Sequence, residues 1–176
     1  MSALHGSSPS SLIKILLKQP RCPLSPSEEI FMREALKEAA RAALKGEVPV
    51  GAVIVWEGKI IGRAHNLTEK KQSVLTHAEM GVLARASRKL GNWRLADCDL
   101  YVTLEPCTMC AGAIVLSRIR RLVFGAPDPK AGAVISTAQV MDNWKLNHRV
   151  QISDGILKEE CSRVLKDFFR ALRAKK

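Results

Sequence analysis

The sequence of 176 residues lacks any long hydrophobic run. No stretch of 18 or more consecutive apolar residues occurs, so nothing in it is long enough to form a membrane-spanning helix. It also contains no internal repeat. The composition, with 47% hydrophobic and 26% charged residues, is ordinary for a globular protein. The length suits one domain with a substantial buried core.

Cysteine is too sparse and too irregularly spaced for a disulfide framework. The chain has five cysteines, an odd number. Cys22, Cys98 and Cys161 have no partner at a recognisable spacing, so we interpret them as free thiols, with Cys98 and Cys161 packed in the core. Free thiols indicate a reducing compartment, and we expect a cytoplasmic protein.

Acidic residues are scarce relative to basic ones. Asp and Glu number 17 against 28 Lys and Arg, which gives a formal net charge of +11. Such a charge favours a polyanionic partner, such as nucleic acid, because each neutralised phosphate releases counterions. A charged surface that serves solubility alone is the alternative.

The first 24 residues contain no acidic residue at all. They are rich in Ser and Pro and carry Lys14, Lys18 and Arg21. An organelle transit peptide has this composition, and so does a disordered basic extension. We expect a disordered extension over residues 1–24, followed by a single folded domain over residues 25–176.

Hydrophobic periodicity beyond residue 25 predicts alternating helices and strands. Helices are expected over 25–46, 77–90, 107–117 and 156–173, with a short one over 134–142. Strands are expected over 50–56, 59–63, 99–103, 121–124 and 149–152, with Glu57-Gly58 as a two-residue hairpin turn. This order predicts an α/β fold, a three-layer α/β/α sandwich around a mixed five-stranded sheet.

Two short motifs carry chemistry. They are His77-Ala78-Glu79 and Pro106-Cys107-Thr108-Met109-Cys110. A structural zinc site takes four protein ligands, whereas a catalytic site takes three and leaves the fourth position to water. One imidazole and two thiolates supply three ligands. We therefore predict one Zn²⁺ bound by His77, Cys107 and Cys110.

Glu79 is predicted to move protons rather than to bind the metal. It stands two residues from His77, so on a helix its side chain points in another direction. Zinc lowers the pKa of bound water from about 15.7 to roughly 7, and a nearby carboxylate can take and return the proton. A lone C-x-x-C has redox and structural alternatives, but H-x-E together with P-C-x-x-C is the signature of zinc nucleobase deaminases.

Several longer stretches extend the similarity beyond these motifs. They are EVPVGAV at 47–53, LYVTLEPC at 100–107, SRI at 117–119, VFGA at 123–126, NHRV at 147–150 and DFFR at 167–170. Through them, the chain from Glu28 to about Arg170 resembles bacterial tRNA-specific adenosine deaminases of the TadA type, in the cytidine deaminase superfamily. The chain departs from that family at its amino end and in the composition of residues 133–146.

The resemblance implies hydrolysis of adenosine to inosine at the wobble position, position 34, of a tRNA anticodon. It implies a homodimer with one zinc per subunit, a zinc-bound water as nucleophile, and contact of Asn66 with the flipped base. The substrate-binding residues implied are Asn66, Asp128, Lys130 and Arg170, beside the ligands His77, Cys107 and Cys110 and the proton shuttle Glu79. A turn residue at Asn66, and solvated charges at Lys130 and Arg170, are the alternatives.

Two other functions fit part of the sequence. A deaminase of free guanine, cytosine or a small nucleotide would use the same zinc motif but would leave the positive charge unexplained. A non-catalytic zinc protein that binds RNA would leave Glu79 and the open coordination position without a role.

Overall fold

The structure of the protein, a computed structural model, describes residues 26–174, and the expected extension over residues 1–24 lies outside that range. In chain order the elements are α1 (Pro26–Ala43), β1 (Gly51–Trp56), β2 (Lys59–His65), α2 (Thr68–Lys71), α3 (Ala78–Leu90), β3 (Cys98–Leu104), α4 (Thr108–Leu116), β4 (Arg121–Ala126), β5 (Gln151–Asp154) and α5 (Lys158–Ala174). Short 3₁₀ turns lie at Val74–Thr76 and Val140–Asp142. Over residues 26–174, no helix has the length and apolarity needed to cross a bilayer.

The five strands form one mixed sheet in the order β2-β1-β3-β4-β5. Strand β1 is antiparallel to both β2 and β3, whereas β3, β4 and β5 are mutually parallel. The turn between β1 and β2 has positive φ at both Glu57 (49°) and Gly58 (71°). Two positive φ values are typical of a type I′ turn, which matches the twist of a hairpin. The predicted sheet and hairpin are confirmed.

Helices cover both faces of this sheet. Its three central strands are therefore buried on both sides. Side chains alternate between the faces along each strand. One face packs against α3 and α4 through Ile54, Leu100, Val102, Leu122 and Phe124. The other face packs against α1 and α5 through Val53, Val55, Tyr101 and Val123. The predicted three-layer sandwich is therefore confirmed, and Cys98 and Cys161 are buried as expected.

One edge of the sheet collects the segments that carry the predicted site. The parallel strands β3 and β4 end there, at Leu104 and Ala126. Strand β1 begins at the same edge, where Gly51 pairs with His65 at the end of β2. The carboxyl ends of parallel strands are where α/β sheets place their ligands.

The helix predicted over 134–142 is wrong. The structure has turns here, with only the 3₁₀ turn Val140–Asp142. The amides of Val134, Ile135 and Ser136 donate to the carboxylate of Glu105. A tertiary contact with a distant glutamate thus holds a segment whose local pattern favoured a helix.

Candidate active site

The predicted ligands lie where two helices begin. His77 is the N-cap residue of α3, Cys107 is the N-cap residue of α4, and Cys110 lies in the first turn of α4. Neither N-cap side chain makes a capping hydrogen bond to its own helix. Asn66 serves α3 instead, since its Oδ1 accepts a hydrogen bond of 2.9 Å from the amide of Ala78.

The three donor atoms have the spacing of a tetrahedral metal site. His77 Nδ1 lies 3.7 Å from Cys107 Sγ and 3.5 Å from Cys110 Sγ, and all three atoms lie within 4.8 Å of one another. Zinc bonds of about 2.3 Å to sulfur and 2.05 Å to nitrogen at tetrahedral angles place nitrogen and sulfur about 3.6 Å apart. The donor types and their separations therefore fit Zn²⁺.

The two cysteines differ in acidity. Hydrogen bonds with Cys110 and then with His77 lower the pKa of the Cys107 thiol to about 3, so this sulfur is a thiolate at neutral pH. The contact with Cys107, and then burial, raise the pKa of the Cys110 thiol. The hydrogen bond with Cys107 also raises the pKa of His77. Because metals bind thiolates, an incoming ion must displace the proton of Cys110.

Glu79 lies beside the three donors, in the first turn of α3. The residue is only 4% exposed, and burial raises the pKa of its carboxyl group. Among residues 26–174, the group of possible metal ligands comprises His77, Cys107 and Cys110, without Glu79. A carboxyl group with a raised pKa exchanges protons closer to neutral pH than an ordinary glutamate does.

A cavity of about 260 Å³ opens onto these groups. Its lining includes His77, Glu79 and Cys107, and it also includes Asn66 and Asp128. The structure thus brings two of the predicted substrate-binding residues to the predicted metal site. The cavity is slightly smaller than most ligand pockets, which span about 300 to 1,000 Å³.

Among the described residues, those that line this cavity do not include Lys130 or Arg170. The Lys130 amide donates to Asp128 Oδ1 over 3.0 Å, so its backbone stays close to the cavity. The Arg170 side chain is on α5, is 76% exposed and pairs with Asp167 at 2.6 Å. Both residues are surface charges, and only Lys130 adjoins a cavity residue.

A second cavity of about 340 Å³ shares His77 with the first. Lys71, Arg85, Arg88 and Met80 are among its lining residues. Glu79 and the two cysteines line or adjoin the first cavity instead. The smaller cavity is therefore the candidate active site.

Two buried glutamates on the cavity lining were missed by the sequence analysis. Glu47 is 1% exposed and accepts the amides of Glu69 (3.0 Å) and Lys70 (2.8 Å) at the start of α2. Glu105 is 3% exposed. Burial raises its pKa, but hydrogen bonds from Ser136 and backbone amides outweigh burial, and the net pKa is lowered. An acidic residue directly after the apolar β3 sequence was the signal that could have identified Glu105.

Comparisons with known proteins show which proteins this chain is similar to. The MafB19-like deaminase family model matches residues 26–173. A tRNA-specific adenosine deaminase of Bacillus subtilis (strain 168) is 52% identical over 149 residues, which are 85% of this chain and 92% of that protein.

Solved structures show the same fold. A structure from a study of A-to-I editing by tRNA:A34 deaminases at the wobble position of transfer RNA is 46% identical, with a TM-score of 0.75, and covers 77% of this chain and 98% of that one. The guanine deaminase from Nitrosomonas europaea is 23% identical, with a TM-score of 0.66, and covers 94% of this chain and 96% of that one. This second likeness shows the fold alone. With the identity and the coverage taken together, the chain belongs to the family of tRNA-specific adenosine deaminases.

Proposed function

We propose that this protein hydrolyses adenosine to inosine at the wobble position of a tRNA anticodon. His77, Cys107 and Cys110 would hold one Zn²⁺, and Glu79 would move the protons. The observation that carries this proposal is the spacing of the His77, Cys107 and Cys110 donor atoms, which fits a tetrahedral ion, beside the buried Glu79 carboxyl group at the wall of one cavity. The tRNA-specific adenosine deaminase of Bacillus subtilis, which is 52% identical to this chain, supplies the substrate class.

When bound, zinc supplies the Lewis acid that makes water a nucleophile near neutral pH. The residues of the chain do the rest. Glu79 takes a proton from the attacking water and delivers it to a ring nitrogen of the base. It then takes the proton of the hydroxyl group added to the ring and delivers it to the amino group, which leaves as ammonia. Its raised pKa suits this exchange, because the same group must both accept and donate.

Asn66 and Asp128 would receive the flipped base and its sugar. Both line the cavity that contains Glu79. Anticodon loops offer unstacked bases that can turn outward into such a pocket. The carboxamide nitrogen of Asn66 is its donor group, since its oxygen already accepts the Ala78 amide.

The deciding experiment offers the zinc-loaded protein two sets of substrates. One is a tRNA with adenosine at the wobble position, and the other is a panel of free bases, nucleosides and small nucleotides. Inosine in the anticodon, detected by sequencing, is the expected result. Turnover of the small molecules alone would refute the tRNA substrate.

One variant and its control test the role of Glu79 as the proton shuttle. Glu79→Ala is expected to lose at least 10³-fold in turnover, near the middle of what a general acid–base contributes, and to keep one zinc per chain. Glu57→Ala removes an exposed carboxylate from the hairpin turn at the far end of the sheet and is the matched control. Loss of zinc from Glu79→Ala would contradict its assignment as a proton shuttle.

We also propose the homodimer that the resemblance implies. Sedimentation equilibrium of the zinc-loaded protein is expected to give twice the chain mass of 19.4 kDa. A monomer across micromolar concentrations would contradict this part of the proposal alone.

A further inference from the structure

The carboxylate of Glu105 collects hydrogen bonds from one loop, residues 128–136. Its Oε1 accepts the amides of Val134 (3.1 Å), Ile135 (2.7 Å) and Ser136 (2.9 Å). Its Oε2 accepts the amide of Asp128 (2.9 Å) and the hydroxyl group of Ser136. Five donors around one buried carboxylate satisfy both oxygens, so this group is not available as a metal ligand or a general base.

The loop wraps closely around this carboxylate. A Cβ atom added at Gly132 would collide with the carboxylate carbon of Glu105 and would lie 2.6 Å from the Asp128 carbonyl oxygen. Only glycine fits here without displacement of the loop or the glutamate. The contact is therefore a packed unit and not a loose surface interaction.

The same loop is bound to the segment that holds a metal ligand. Gly132 forms an isolated antiparallel bridge with Cys107. The Ala133 amide donates to the Pro106 carbonyl oxygen over 2.8 Å. Glu105 directly precedes Pro106 and Cys107 in the sequence. One short stretch of chain therefore carries both the Cys107 ligand and the anchor of the loop.

The near end of the loop contributes to the cavity. Asp128 and Ala131 both line it, together with Glu79. Asp128 Oδ1 accepts the amides of Lys130 (3.0 Å) and Ala131 (3.2 Å), which makes this end a compact turn. Any displacement of the loop from Glu105 would move this part of the cavity relative to the metal ligands.

We propose that Glu105 is a positioning residue that fixes the 128–136 loop against the Cys107 segment and so sets the distance between substrate-contacting groups and the reacting centre. The anchoring of the loop follows from the hydrogen bonds of Glu105. Its consequence for substrate rests on the proposed function.

Glu105→Gln tests the anchor. Glutamine has the same size, but one of its two terminal atoms is a donor that would face the loop amides. In the zinc-loaded protein, we expect amide hydrogen exchange across residues 128–136 to accelerate at least tenfold, while exchange in β1 and β3 stays unchanged.

Glu47→Gln is the matched control for this measurement. Glu47 is also a buried cavity glutamate, but it accepts amides from α2 instead. Its substitution should accelerate exchange over residues 68–71 and leave residues 128–136 as they are. Unchanged exchange of the 128–136 loop in Glu105→Gln would overturn the anchor.

Steady-state kinetics with tRNA test the consequence for substrate. Glu105→Gln is expected to raise KM about tenfold, to change kcat less than threefold, and to keep one zinc per chain. A faster-exchanging loop with an unchanged KM would overturn the positioning role. If the wild-type protein does not act on tRNA, the proposed function fails, and the exchange experiment still decides the anchor.

Ser136→Ala provides a second, milder variant. It removes only the hydroxyl donor to Glu105 Oε2. We expect the same pattern of faster loop exchange and raised KM, to a smaller degree. This variant decides the proposal if Glu105→Gln does not fold, and an unaltered loop and KM in Ser136→Ala would then count against it.

Discussion

The cysteines of the described chain, Cys98, Cys107, Cys110 and Cys161, differ in the acidity of their thiols. Burial raises the pKa of Cys98 to about 11 and that of Cys161 to about 12. Hydrogen bonds with Cys110 and His77 lower the pKa of Cys107 to about 3. Because the thiolate is the nucleophile, Cys107 is the reactive thiol of this group in the metal-free protein.

Alkylation measures this difference. In metal-free protein with Cys22→Ser, iodoacetamide at pH 7 is expected to modify Cys107 well before Cys98 or Cys161, as followed by peptide mass spectrometry. Added zinc should slow modification of Cys107 at least tenfold, since the thiolate becomes a ligand. Equal rates at Cys98 and Cys107 would contradict the assignment.

At the scale of elements, α1 packs onto the start of β1 at a glycine. A Cβ atom at Gly51 would collide with backbone atoms of α1, the carbonyl oxygen of Ala35 and the nitrogen of Ala39. Backbone atoms cannot move aside as a flexible side chain can. The separation between this helix and the sheet is therefore set by the absence of a side chain.

Gly51→Ala is expected to lower the free energy of unfolding by about 1–3 kcal/mol, the usual cost of overpacking. Gly112→Ala in α4 is the control, because a Cβ atom there meets nothing within 4 Å. That change should raise stability by up to about 1 kcal/mol, since alanine is the better helix former. Urea unfolding of both variants is the measurement, and equal shifts would contradict the packing argument.

At a second junction, the largely buried cation of Arg121 links three elements. Arg121 at the start of β4 pairs with Glu28 of α1 and, at 3.3 Å, with Asp99 of β3. Its guanidinium also donates to the hydroxyl group of Tyr101 over 2.9 Å. The side chain is only 14% exposed, so these partners have replaced most of its contact with solvent.

Arg121→Met should therefore cost about 3–5 kcal/mol of unfolding free energy, because it removes the largely buried cation that pairs with both Glu28 and Asp99. Arg120→Met is the control. Arg120 also binds Asp99, at 2.9 Å, but its side chain is 52% exposed, and its loss should cost less than about 1 kcal/mol. A small effect at Arg121 would show that water reaches the carboxylates.

At the scale of the whole molecule, the net charge of +11 predicts a salt-dependent affinity for RNA. If six phosphates are contacted, affinity for tRNA should fall by about 10³ between 50 and 200 mM salt. Fluorescence anisotropy with labelled tRNA measures this slope. Glu79→Ala should show the same slope, since its defect is chemical, and a flat response would remove the role of the charge.

Most elements were predictable because their signals are local. The period of apolar residues and the Glu57-Gly58 turn specify helices, strands and the hairpin within a few residues of where the structure has them. The helix predicted over 134–142 does not form, because the first amides of this segment bind Glu105, about thirty residues earlier in the chain. A local pattern contains no information about such a contact.

The candidate site was likewise predictable only in part from the sequence. The donor set of His77, Cys107 and Cys110 was readable from residue type and spacing. That Asn66 caps α3, and that Arg170 lies away from the cavity, could not be read, because both depend on how distant segments pack.

The sequence by itself determined which chemical groups this protein can offer, since imidazole, thiol and carboxyl groups are properties of single residues. It also determined the helices and strands that carry them, through local periodicity. Only the tertiary structure decided that donors 30 residues apart lie 3.7 Å from each other. It alone decided that Glu79 is buried beside them and that Glu105 holds a loop. The reason is physical: separations across a fold are set by strand order and helix packing, which no short stretch of sequence specifies.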